Sequence, residues 1–509
     1  MAQNKVNFTE RHDAGGWAKY LPAISGFYTT HLGKDLLDKE FIPEERVPEK
    51  FELGIQGLDF LKDPDEAYFS YKYGLYSAGH ADRNLERCDE REPMIHKRNR
   101  ENTIMVGDSG GFQIATGVIK LDWANIKGAD GDKLRKEILR YLEHTSDWSM
   151  TLDVPPFAAV GALSEKTGLT TFEETLDITI HNLNYFMKHR VPGATKFLNV
   201  LSGSSRDNSK RWFEAAIPYS IPEAVEAMGY SADRTFEGYA FAGINMRDMT
   251  CVLDRLLDLI ELGALTDKDW IHFLGIGRLD WSCYLTTIER TLKEHYNPNI
   301  NISFDAASPF VAAGGYALSY DYNHFTPQKL TYAMGRGLDN RALKGSKLAM
   351  PFQGPIMERL TAGDICVMGP GDKNKHKKIG KTSWDTTSYA LVMAHNVYNH
   401  IQAVQEVNRL ADIEDIKGYA YKDLATLEHK SSKMIGEHIP IIIPLVRDLI
   451  RVVLDPQTEN PRQILSDYDR YLFEISFKEN KHSNMAELMN RHDNDYNIKD
   501  DEASIKENE

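Results

Sequence analysis

Cysteine is scarce in this chain: Cys88, Cys251, Cys283 and Cys366 are the only four, and no two stand close together. That excludes a Cys-x-x-Cys metal cluster and a disulfide framework, and fits a reducing cytoplasm. Long apolar runs are missing too. None approaches the roughly 18 residues of a membrane span, and the longest, IPIIIPL at 439–445, is broken by Pro440 and Pro444 and reads as a buried turn. The opening segment, MAQNKVNFTERHDAGG, is polar and lacks the apolar core of a signal peptide. There is no excess of positive charge: 60 Lys and Arg face 75 Asp and Glu, a formal balance of -15. The surface as a whole therefore does not attract a polyanion, and nucleic-acid binding needs a local basic face. Neither GxGxxG nor GxxxxGK[ST] occurs, which argues against a dinucleotide fold or a P-loop. No internal repeat is visible.

What is present is ordinary globular material, 42% hydrophobic and 27% charged, enough to build a substantial core. Six short β-rich runs each end in Gly, Asp or Ser and are followed by helical periodicity. They are IMVGDSGG (104–111), WSMTLDVP (148–155), FLNVLSGS (197–204), GYAFAGIN (238–245), IHFLGIG (271–277) and NISFDAAS (301–308). Their starts lie about 30 to 50 residues apart, the length of a strand, a helix and two loops. The fold predicted is α/β, a (β/α)8 TIM barrel with insertions and a helical C-terminal extension. One or two earlier strands are expected between Phe51 and Gly74. SYALVMAHNVYNHIQAVQEVNRLADI, at 388–413, reads as one amphipathic helix. The expected division is a barrel domain over 1–385, a helical region over 386–493 and an acidic disordered tail over 494–509.

The strand ends carry the chemistry, because the C-terminal rim of a barrel is where catalytic groups converge. Asp108 closes one run, followed by Ser109, Gly110 and Gly111, which let backbone approach a ligand, and by Phe112, placed to stack on it. Alone, such an Asp is as readily a helix cap. Asp305 at a second strand end changes the balance, since two carboxylates at one rim suit glycosidic chemistry, one as nucleophile and one as acid and base. Asp153, in TLDVPP, is a third, with a turn or cap role as its alternative. His272 reads as a satisfied barrel residue, and Cys251 and Cys283 as buried, apolar-like residues.

These motifs resemble the queuine and archaeosine tRNA-guanine transglycosylases and their DNA-modifying relatives. DSGGFQ is close to the most specific signature of that family; TLDVPP, VLSGS, GYAFAG, HFLGIG and FDAAS follow in the family's order, and His395-Asn396 matches its His-Asn pair. The likeness runs from Met105 to Tyr398. It implies that Asp305 attacks C1′ of a guanosine nucleotide to form a covalent glycosyl-enzyme, and that Asp108 protonates the leaving guanine and deprotonates the incoming base. It further implies that Asp153 accepts hydrogen bonds from the purine edge, that Ser202 and backbone near Gly243 and Ile244 complete the reading, and that Phe112 stacks on a flipped base. No catalytic cofactor is implied.

Three departures matter. Where the tRNA enzymes carry a three-cysteine zinc motif, the stretch 364–381 retains only Cys366, to stand beside His395. One Cys and one His cannot close a tetrahedral zinc site, so structural zinc is not expected; a site rebuilt with Asp364 or His376 is the alternative. Ser202 replaces a purine-reading Gln, and the C-terminal region shows no β-rich RNA-binding module. Together these resemble the branch, found in phages and bacterial genomic islands, that exchanges guanine in DNA for a 7-deazaguanine such as preQ0. The implied partners are therefore DNA and the free base, with tRNA as the alternative substrate, no membrane, and room for a homodimer. Lys373, Lys375, Lys377, Lys378 and Lys381 form the clearest basic cluster, which reads either as a phosphate grip or as a solvated loop. A non-catalytic nucleic-acid-binding paralogue is a further alternative, against which the two retained aspartates argue.

Overall fold

In the computed structural model, residues 6–33, 42, 44–372, 382–426 and 436–476 are described. Eight strands, all parallel to their neighbours, form one sheet: β1 (Lys19–Pro22), β2 (Tyr73–Ser77), β3 (Ile104–Asp108), β4 (Trp148–Met150), β5 (Lys196–Leu201), β6 (Gly238–Phe241), β7 (Trp270–Phe273) and β8 (Asn301–Ala306). Sequence neighbours pair from β2 to β8, and β8 returns to pair with β1. A parallel bridge between Ala23 and Leu75, with the Ile24 N–H donating to Leu75 O at 2.8 Å, closes β1 onto β2. The fold is a (β/α)8 barrel, and closure leaves no edge strand to protect.

All six strands read from the sequence are present. Of the remaining two, β2 begins inside the expected window, at Tyr73, whereas β1 lies well before Phe51. Four buried residues ending in Pro22 give β1 too short a run to show any alternation.

Crossover helices cover the barrel: α1 (Gly111–Thr116) and α2 (Ala129–Thr145) after β3, α3 (Phe172–His189) after β4, α4 (Arg206–Ala216) after β5, α5 (Met249–Glu261) after β6 and α6 (Leu279–His295) after β7. The α3 start is set by a capping box between Thr171 and Glu174. After β8 come α7 (Ser308–Tyr316) and an antiparallel hairpin, β9 (Leu318–Thr326) and β10 (Thr331–Arg336), before the long α8 (Thr386–Asp415). The described chain beyond α8 is helical, with α9 (Ile442–Leu454) its longest element.

α8 is not one-sided. Apolar and polar residues alike are buried around its circumference, because it lies between the barrel and the C-terminal helices. Asn408 is buried there with its partners Thr286 and Ser282 of α6, at 2.7 and 3.1 Å. IPIIIPL is buried as expected, but it leads into α9, with Pro444 in the first turn, where a missing N–H costs nothing. One continuous apolar core joins barrel residues such as Tyr20 and Phe304 to Val407 of α8 and Leu449 of α9. The proposed tail at 494–509 lies outside the described residues. No helix among the described residues is long and apolar enough to cross a membrane.

Candidate active site

Successive residues of a strand face opposite sides, so residues two apart share a face. Trp148 of β4 and Trp270 of β7 stack across the barrel interior with ring centroids 5.2 Å apart. The face that carries Trp270 also carries His272; in the adjacent β8, Ser303 is the register partner of His272, and Asp305 follows two residues on. The result is an interior column that ends on a carboxylate at the rim. The indole N–H of Trp270 donates to Ser303 Oγ at 2.7 Å, Ser303 Oγ lies 2.8 Å from His272 Nδ1, and His272 Nε2 lies 3.2 Å from Asp305 Oδ1. With the Ser303 hydroxyl donating to Nδ1, the imidazole proton sits on Nε2 and points at Asp305. The Gly275 N–H donates to the same Oδ1 at 2.7 Å. Among the described residues nothing donates to the other oxygen, Oδ2.

Asp108 ends β3 in register with Ser77, the last residue of β2, whose hydroxyl hydrogen-bonds it. The Gly110 N–H donates to Asp108 Oδ1 at 3.2 Å. Burial pushes the Asp108 carboxyl above the usual carboxylate range; the two hydrogen bonds oppose this, and the Asp305 charge adds to it. Asp153 follows β4. Its carboxyl is pushed up to about 7, by burial first and by the Asp108 charge second. The three carboxylates thus form an electrostatic series, Asp153 to Asp108 to Asp305, in which Asp108 is held towards its neutral form.

The paired glycines have distinct steric roles. Gly110 adopts φ 84°, and a Cβ there would stand 2.8 Å from the Gly79 backbone. A Cβ on Gly111 would stand 2.5 Å from the Asp153 carbonyl oxygen and 2.9 Å from Asp153 Oδ1. The double glycine therefore lets the loop after β3 press against the one after β4. Ser109 is buried, its hydroxyl donating to Thr151 O at 3.2 Å, so it joins the same two strand ends. Phe112 is half-buried and meets Phe157 edge-on at 5.7 Å.

Ser202 follows β5, and its hydroxyl is buried with no hydrogen-bond partner among the described residues. Gly243 and Ile244 begin a turn after β6, but the Ile244 N–H already donates to Gly203 O at 2.8 Å, so it is committed within the protein. Ser77, Gly275 and the contact of His272 with Asp305 were missed from sequence. His272 is indeed a satisfied barrel residue, and Asp305 is one of the groups that satisfies it.

Among the described residues, Cys366, Asp364 and His395 are each engaged by other partners. The Cys366 thiol donates to Leu338 O at 3.1 Å, Asp364 forms a capping box with Thr361, and the His395 imidazole, lowered to about 4 by burial, contacts Tyr320 O at 2.8 Å. Asn396 clamps the hairpin, accepting from the Tyr320 N–H at 2.8 Å and donating to Leu318 O at 3.0 Å. The His-Asn pair thus fastens β9 to α8. His376 and the five lysines at 373–381 lie outside the described residues. No protein-family model and no curated protein matches the chain.

Proposed function

We propose that this chain is a DNA-guanine transglycosylase that exchanges guanine for a 7-deazaguanine base, such as preQ0, by double displacement. The observation that carries the reading is the difference between the two rim carboxylates. Asp305 is anchored through Oδ1 by the Gly275 amide and His272, which leaves Oδ2 for attack. Asp108 is biased by burial towards the protonated form that a general acid needs.

In the first half-reaction, Asp305 Oδ2 bonds to C1′ as the C1′–N9 bond breaks, and the Asp108 proton passes to the departing guanine. In the second, the Asp108 carboxylate takes the N9 proton of the incoming base, N9 bonds to C1′, and the Asp305 ester opens. Asp153 receives the hydrogen-bond donors of the purine edge, and Phe112 offers an aromatic face. The preference for DNA rests on resemblance, through the altered zinc stretch, Ser202 in place of Gln and the lack of a β-rich RNA-binding module taken together, and the chemistry allows it. Deoxyribose lacks the 2′-hydroxyl whose inductive pull disfavours an oxocarbenium-like transition state, so two carboxylates suffice.

The test is incorporation of labelled preQ0 into duplex DNA, single-stranded DNA and tRNA, side by side, with Asp108→Ala and Asp305→Ala as controls. Label in DNA that both substitutions abolish supports the proposal. Label confined to tRNA assigns the alternative substrate, and exchange undiminished in Asp305→Ala overturns the mechanism.

A further inference from the structure

Outside the rim carboxylates, the short helix Cys88–Arg91, the turn Pro93–His96 and the C-terminal end of α2 bring together Cys88, Asp89, His96 and His144. One donor atom from each lies within 4.8 Å of all the others. Cys88 Sγ is 3.7 Å from His96 Nδ1 and 3.7 Å from Asp89 Oδ1; Asp89 Oδ1 is 3.4 Å from His96 Nδ1 and 3.4 Å from His144 Nε2. Zinc bonds of about 2.3 Å to sulfur and about 2.0–2.2 Å to nitrogen and oxygen, at tetrahedral angles, require ligand separations of about 3.6 Å from sulfur and about 3.4 Å between nitrogen and oxygen. Four of the six edges match those separations to about 0.1 Å, and the other two, from His144 to Cys88 and to His96, are within 4.8 Å.

The surroundings fit as well. Glu92 is buried, accepts from the Tyr76 and Tyr141 hydroxyls at 2.7 and 3.2 Å, and has Oε2 3.6 Å from His96 Nε2. A carboxylate behind the outer nitrogen of a ligating histidine fixes its tautomer and raises its basicity. Among the described residues, His96 Nε2 has no hydrogen-bond partner closer than this. A thiolate and a carboxylate supply the two negative charges that offset a divalent cation. Asp89 and His144 are about half-exposed, which leaves an entry path.

We infer that Cys88, Asp89, His96 and His144 bind one zinc ion in a closed, four-ligand structural site. The site is independent of the chemistry proposed at the rim and differs from the family's zinc position at Cys366 and His395. Binding releases the Cys88 thiol proton to solvent and adds four coordinate bonds. The ion staples the β2–β3 connection to the end of α2, where the chain enters the barrel from the side opposite the rim.

The experiment is metal analysis of the full chain purified without added metal, together with the visible spectrum after replacement by cobalt(II). The expected result is one zinc per chain and a cobalt spectrum with tetrahedral d–d bands and a thiolate charge-transfer band. His144→Ala, at a half-exposed position, should keep the fold and lose most of the zinc; Cys88→Ser should lose the thiolate band; Cys366→Ser should change neither. A wild-type protein that takes up no stoichiometric zinc or cobalt overturns the inference. So does zinc that survives in His144→Ala and Cys88→Ser but is lost in Cys366→Ser.

Discussion

The Gly275 amide stands 2.7 Å from Oδ1 of Asp305, and the same oxygen faces His272 Nε2 at 3.2 Å. Two donors on one oxygen fix the rotation of the carboxylate and aim Oδ2. His272→Ala removes one of them. A hydrogen bond to a charged group is worth about 1.5–3 kcal/mol, equivalent to about 10- to 100-fold in rate. Base exchange should fall by that factor with circular dichroism unchanged, and His272→Gln, which restores a donor, should recover part of it. Equal activity in wild type and His272→Ala would remove His272 from the positioning of Asp305.

Asp153 predicts a pH dependence. Its folded-state value of about 7 lies above the ordinary 3.8, so the folded protein holds a proton that the unfolded chain would release. Its contribution to stability is therefore greatest below the ordinary value and is lost as pH rises through about 7. Base binding runs the other way, because the purine edge donates and needs the carboxylate. Affinity for a 7-deazaguanine should rise from about pH 6 to about pH 8 with release of a proton, measured by calorimetry in buffers of different ionisation enthalpy. Asp153→Asn should bind weakly and without that slope.

Gly111 sets the spacing between the loops after β3 and β4. Gly111→Ala would put a methyl group 2.5 Å from the Asp153 carbonyl oxygen, against backbone that cannot swing aside as a side chain can. Displacement of the catalytic frame by about 1 Å costs about 100-fold in rate. Exchange should drop on that scale and stability in urea should fall by about 1–3 kcal/mol; a fully active Gly111→Ala would show that the close approach is dispensable.

At the opposite end of the barrel, Glu289 of α6 accepts from Lys19 Nζ of β1 at 3.2 Å and from the Ile302 N–H of β8 at 2.7 Å, with both side chains almost completely buried. Removing one partner of a buried ion pair strands the other. Glu289→Ala should cost about 3–5 kcal/mol in urea unfolding, whereas Glu289→Gln, which retains a partner for the amide, should cost less.

Six of the eight strands and both rim aspartates were legible in the sequence because a barrel strand ending in Gly, Asp or Ser carries a local signature. VGDSGG and SFDAAS each hold a complete strand end within a few residues. β1 was not legible, since KYLP is short, buried throughout and closed by a proline, and only pairing with β8 makes it a strand. α8 looked amphipathic because sequence records which residues are apolar and says nothing of how many neighbours surround them.

The sequence by itself determined the βα alternation and the identity of the groups at the rim, since both are encoded by residues adjacent in the chain. Tertiary structure alone decided that Ser303 lies beside His272, that Ser77 reaches Asp108, and that Gly111 meets Asp153, because each depends on strand register. It also decided that Cys88 and His144, far apart in the chain and with no motif between them, bring ligand atoms within 4.8 Å of each other. A helix end and the β2–β3 connection meet there because β2, β3 and β4 pair side by side.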